Sequence, residues 1–184
     1  MKRLDRNKAI LVVIDVQEKM IPVMSDWPAV ERSLDRLIRG CDVLEMPVLV
    51  TEQYVKGLGQ TAGATRRALE ETGQYTPMEK NCFSACGCGP FIEQLKKTGR
   101  KQVLVAGVEA HVCVYQTVVD LLAGGFEISV VADAVASRSP VNRDIAIRRM
   151  TAEGAKITSA EMALFEMLVS AGTQEFRDIS RLVK

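Results

Sequence analysis

Six apolar residues in a row, Ala9-Ile10-Leu11-Val12-Val13-Ile14, closed by Asp15, constrain this chain more than any other stretch. The run is far short of the roughly 20 residues that span a bilayer. It also lacks the polar alternation of a strand with one wet face. It therefore reads as a β-strand covered on both sides, as in a parallel sheet. Ligands of such sheets gather at the carboxyl ends of the strands, which is where Asp15 stands.

The remaining pattern continues in kind. Over 28–44, Val30, Leu34, Leu37, Ile38, Cys41 and Leu44 recur at helical spacing. A second strand is expected over 47–51, and an exposed loop over 52–61, which contains Gly57 and Gly59. Next come a short helix over 65–72, a weaker strand over 76–83 and a helix over 91–97 ended by Gly99. The clearest later strand is 101–107, followed by a helix over 112–123 closed by Gly124-Gly125. The series ends with a strand over 128–132, a helix over 143–153, a strand over 155–157 and a helix over 161–170. Strands alternating with helices imply right-handed crossovers and an α/β fold, a mainly parallel sheet with helices on both faces. No repeat or linker interrupts the series, so residues 1–184 are expected to form a single domain.

Composition removes several function classes. Lys plus Arg (24) nearly cancels Asp plus Glu (23), so no net field would gather nucleic acid or an anionic membrane. Neither is expected as a partner; a small-molecule substrate is. The basic opening, Met1 to Arg6, leads into a run cut by Asp15 without a small-residue cleavage pattern, which reads as a strand rather than a signal peptide. Five cysteines, an odd number, do not form a disulfide framework, and a cytoplasmic setting is expected. The one histidine, His111, excludes any metal site or mechanism that needs two. Gly107 is not followed by the glycines of a dinucleotide fingerprint, so neither NAD nor any other cofactor is expected.

Three chemistry-bearing residues fall at or near carboxyl ends of strands: Asp15, Lys80 and Cys113. A thiol at a helix start beside an ammonium would have a lowered pKa, and a neighbouring carboxylate could carry its proton to a leaving amine. Each also has an ordinary role: Asp15 as a turn residue or helix cap, Lys80 as a solvated cation and Cys113 as a core thiol. Position alone leaves that choice open.

Five ordered segments narrow it: LVVIDVQEK (11–19), TEQYVKGLGQT (51–61), EKNCFS (79–84), GVEAHVCV (107–114) and SRSPVNRDIAIRRM (137–150). Together they resemble the isochorismatase-like hydrolase superfamily, and most closely its isochorismatase domain-containing subgroup. The resemblance implies a Rossmann-like three-layer α/β/α sandwich and a cysteine hydrolase whose triad falls on Asp15, Lys80 and Cys113. It further implies a cis peptide at Val108-Glu109, an oxyanion hole from the backbone amides of Glu109 and Cys113, and homo-oligomerisation. The apolar C-terminal stretch with Phe176, Ile179 and Leu182 could supply the oligomer surface.

Departures matter as well. The nicotinamidases of this superfamily hold a metal through an Asp-x-His segment and a second histidine, and Glu52-Gln53-Tyr54 offers neither. No metal and no nicotinamidase activity are expected. His111 lies two residues before Cys113 and points away from it on a helix, so it reads as a pocket or interface residue. Gln17 and Phe83 are expected in the pocket, and Cys82, Cys86 and Cys88 read as structural or pocket-lining thiols. The leading expectation is cysteine-nucleophile hydrolysis of a small amide-type acyl substrate. Two rivals remain: isochorismatase-type ether hydrolysis and a catalytically silent binding or scaffold protein.

Overall fold

The computed structural model describes residues 3–184. Six strands, β1 (Ala9–Ile14), β2 (Val48–Gln53), β3 (Pro77–Lys80), β4 (Gln102–Val108), β5 (Glu127–Ala136) and β6 (Lys156–Thr158), form one sheet in the order β3-β2-β1-β4-β5-β6. Every pairing is parallel. Order reverses between β1 and β4, the switch point at which open α/β sheets leave a crevice beyond the strand ends.

All six residues of β1 are buried, and its side chains alternate between two cores. Ala9, Leu11 and Val13 face a layer made by α1 (Trp27–Val43), α3 (Gly63–Glu71), α7 (Ala160–Leu168) and α8 (Gln174–Val183). Ile10, Val12 and Ile14 face α4 (Gly89–Lys97), α5 (Tyr115–Ala123) and α6 (Pro140–Ala152). Helices on both faces make the three-layer α/β/α sandwich. A helix of one turn, α2 (Val55–Leu58), sits within the loop expected after β2.

The sheet closes tightly at the switch point. Gly107 has φ +115°, and a Cβ there would stand 2.1 Å from the Ile14 carbonyl oxygen. Only glycine lets β4 approach β1 this closely.

Three expectations are corrected. β3 stops at Lys80 instead of continuing to Phe83, because the carbonyls of Cys82 and Phe83 turn toward the Lys80 ammonium. β5 continues past residue 132 to Ala136. Its interior Asp133 is satisfied within the fold, accepting from Ser33 Oγ and from the Ala160 amide at the start of α7. The C-terminal stretch offers less apolar surface than expected: Ile179 is fully buried in the chain's own core and Phe176 packs edge-on against Phe165 with centroids 6.2 Å apart, which leaves Phe176 and Leu182 only partly exposed.

Candidate active site

Asp15 follows β1 in a left-handed conformation, φ 53°, which short polar residues tolerate better than most. Its carboxylate is 3% exposed and engaged at both oxygens. Oδ1 accepts from Thr51 Oγ1 at 2.7 Å, and Oδ2 accepts from Lys80 Nζ at 2.7 Å.

The Lys80 side chain is wholly enclosed. Besides Asp15, its ammonium donates toward Gln53 Oε1 (2.6 Å), Phe83 O (2.9 Å) and Cys82 O (3.2 Å). Four acceptors share three protons, the kind of compensation a buried ammonium requires. The extended β2 and shortened β3 make this possible, since register pairs Gln53 with Lys80.

Cys113 lies in a wide helical turn, Ala110–Val114, that leads from β4 into α5. Its carbonyl accepts from Thr117 Oγ1, which in turn accepts from the Ala85 amide, tying the cysteine turn to the loop after Lys80. Burial, reinforced by the Asp15 carboxylate and opposed by Lys80, pushes the thiol up from 9.0 to about 12. The sulfur is therefore a neutral thiol near neutral pH. The expected lowering is overturned for a physical reason: Lys80 is paired to Asp15, so its attraction for a thiolate does not outweigh desolvation.

Cys113 and Asp15 meet at a pocket of about 110 Å³ at the switch point. Met20, Leu58, Val108 and Val112 form apolar walls, and the exposed Phe83 stands at the edge. Val108-Glu109 is cis. Glu109 also lines the pocket, while its carboxylate accepts from the Arg138 amide (2.9 Å) and Nε (3.1 Å).

Of the three side chains expected in the pocket, Phe83 lines it, whereas Gln17 and His111 do not. Gln17 is fully buried and braces the loop after β2: Nε2 donates to Gln53 O and Gly59 O, and Oε1 accepts from the Gln53 amide. His111 Nδ1 lies 2.9 Å from Ser137 Oγ. Lys80 is not part of the lining and lies behind it, against Asp15 and the Cys113 thiol. Reading the sequence missed Gln53, Leu58 and Met20 as site residues. The first two lie within the TEQYVKGLGQT segment that carries the resemblance, but no signal marked Met20.

Glu52, in the segment that carries metal ligands in nicotinamidases, holds its loop instead: its Oε1 accepts from the Thr61 amide and Oγ1 and from Tyr75 OH. Among the described residues, no group of three or more His, Cys, Asp or Glu side chains converges as a metal site would require.

The chain is similar to known proteins over nearly its whole length. The chain is 38% identical to the secreted isochorismatase effector Isc1 of Phytophthora sojae, across 100% of this chain and 89% of that protein. It is 34% identical to isochorismatase domain-containing protein 2 of Macaca fascicularis, across 97% and 84%. A structure of the MAR1 ribonuclease from Caenorhabditis elegans superposes with a TM-score of 0.91 at 36% identity, covering 99% of this chain and 92% of that one. YcaC from Pseudomonas aeruginosa, solved with hexane-2,5-diol and covalent acrylamide, superposes at 0.89 with 27% identity, covering 97% and 90%. Since the isochorismatase domain also matches residues 9–162, which hold every side chain of the pocket, this chain belongs to the isochorismatase family.

Proposed function

We propose that the protein hydrolyses a small amide or related acyl compound through a thioester on Cys113. One observation carries the reading: a buried thiol shares a pocket with a carboxylate, one oxygen of which is held by an enclosed ammonium.

The neutral thiol requires a base. As sulfur bonds to the carbonyl carbon, its proton passes to Asp15 and the carbonyl electron pair moves onto oxygen. The backbone amides of Glu109 and Cys113 receive that oxyanion. Collapse breaks the C–N bond, Asp15 returns the proton to the leaving amine, and the acyl thioester remains. Water then attacks, giving its proton to Asp15; the acid departs and the sulfur regains its proton. Lys80 transfers no proton itself but donates to Asp15 Oδ2 at 2.7 Å and lies beside the Cys113 thiol. It is a positioning residue that holds Asp15 and steadies the transient thiolate.

An RNA substrate, as the name of the nematode relative would suggest, finds little support. Phosphates need accessible cations, whereas Lys80 is enclosed and the net charge is only +1. The five free thiols fit a reducing, cytoplasmic setting, and among the described residues no helix is long and apolar enough to cross a membrane. Self-association is also part of this reading, with the exposed Val141 and Ile145 on the outer face of α6 as the contact.

Ammonia release from a panel of short amides, with intact-mass detection of an acyl adduct, tests the reaction. Wild type should turn over at least one amide, and Cys113→Ala should lose on the order of 10⁴-fold in rate with its fold intact. Equal rates for the two proteins on every hydrolysed substrate would end the cysteine reading. No turnover of any ester or amide would favour the silent binding protein.

A further inference from the structure

We infer that the pocket accepts uncharged, short acyl groups and rejects substrates carrying a carboxylate there. This rests on the cysteine-hydrolase reading and names the substrate class of the same site.

The fold itself already satisfies the polar side chains around the pocket. Lys80, the one cation beside the pocket floor, has its protons committed to Asp15, Gln53 Oε1 and two backbone carbonyls. The Gln53 side chain is equally occupied: its oxygen accepts from Lys80 and its amide nitrogen donates to Asn81 O at 2.8 Å. Arg138 is engaged by Glu109, and its guanidinium is not part of the lining. The two carboxylates of the lining, Asp15 and Glu109, thus already have their cations, and among the described residues no positive side chain lines the pocket for a substrate anion. An incoming carboxylate would instead meet the Asp15 carboxylate across a small apolar space, where charge is poorly screened.

Size points the same way. The pocket holds about 110 Å³, against roughly 300–1,000 Å³ for clefts that enclose drug-sized ligands. A short chain that packs on Met20, Leu58 and Val112 suits it. Isochorismate, a ring bearing two carboxylates, does not.

Iodoacetamide and iodoacetate form a matched pair for the test, because they differ only in a neutral amide against a carboxylate. Each alkylates by displacing iodide as the C–S bond forms and the thiol proton leaves. Rates at Cys113 in the full chain, located by peptide mass and divided by those of 2-mercaptoethanol, give the pocket's preference without any need for turnover. Cys82 and Cys86 lie outside the pocket lining and serve as controls. Cys113 should prefer the amide reagent by on the order of 10²-fold beyond the controls. Leu58→Lys, which adds an ammonium to the wall, should cut that preference severalfold.

A Cys113 ratio equal to that of the controls would overturn the inference. So would failure of iodoacetamide to reach Cys113 under conditions that label Cys82 and Cys86. Selective labelling in a protein that hydrolyses no amide would instead sink the hydrolase reading and leave the selectivity standing.

Discussion

The two rims of the sheet hold ion pairs of similar length in opposite surroundings. At the carboxyl rim, Lys80 and Asp15 meet at 2.7 Å with side chains 0% and 3% exposed. At the amino rim, Arg6 and Glu175 meet at 2.6 Å with 34% and 38% exposed, beside an open groove of about 820 Å³. The amino-rim groove is several times larger than the carboxyl-rim pocket, yet its charges are wet and screened. Distance is matched, so the effective dielectric decides what each pair can do. Enclosure allows the small pocket to hold a carboxylate in one orientation against a thiol. The same enclosure takes Lys80 out of a substrate's reach.

The comparison breaks most visibly at Lys80. Lys80→Met leaves Asp15 and two carbonyls without their partner, and should lower unfolding free energy by about 3–5 kcal/mol in urea titration. Adding Asp15→Asn should recover part of that loss, because the uncompensated charge is gone. A loss below about 1 kcal/mol in the single variant would mean that the pair behaves like a surface one.

Raising the pH probes the same enclosure from the thiol side. The Cys113 thiol is raised from 9.0 to about 12 by burial first and then by Asp15, and Cys41 is raised to about 12 mainly by burial. A folded value above the unfolded one means that the stability contribution is complete below about pH 9 and is lost as pH climbs toward 12. The urea midpoint should fall across that window. Cys113→Ala should flatten the fall without abolishing it, because Cys41 still titrates.

Gln17 gives a smaller effect within the carboxyl rim. Gln17→Ala removes three hydrogen bonds that brace the 53–59 loop, and should cost about 1–3 kcal/mol while raising KM more than it lowers kcat. An unchanged KM would show that the brace does not set pocket shape.

The smallest effect belongs to the amino rim. Arg6→Ala should change stability by about 0.2–1 kcal/mol, fading with added salt, and leave turnover untouched. A salt-insensitive loss of several kcal/mol would erase the contrast between the rims.

Much of this architecture can be read from residues alone. The bounds of β1, the helical stripe of α1 and the glycine stop after α5 follow from patterns a few residues long, because periodicity and turn chemistry are local. Local pattern also places Asp15, Lys80 and Cys113 near strand ends, and resemblance groups them. Reading failed where a residue answers to a distant partner. Asp133 resembles a strand terminator until Ser33 and the start of α7 satisfy it, and residues 81–83 resemble strand until Lys80 draws their carbonyls inward. Gln17 and His111, neighbours of site residues in sequence, turn to other partners. The thiol's charge state, the walls contributed by Met20 and Leu58, and the lack of an available cation were decided only by tertiary structure. Desolvation and hydrogen-bond saturation depend on everything packed around a group, and that environment is assembled from strands and loops far apart in the chain.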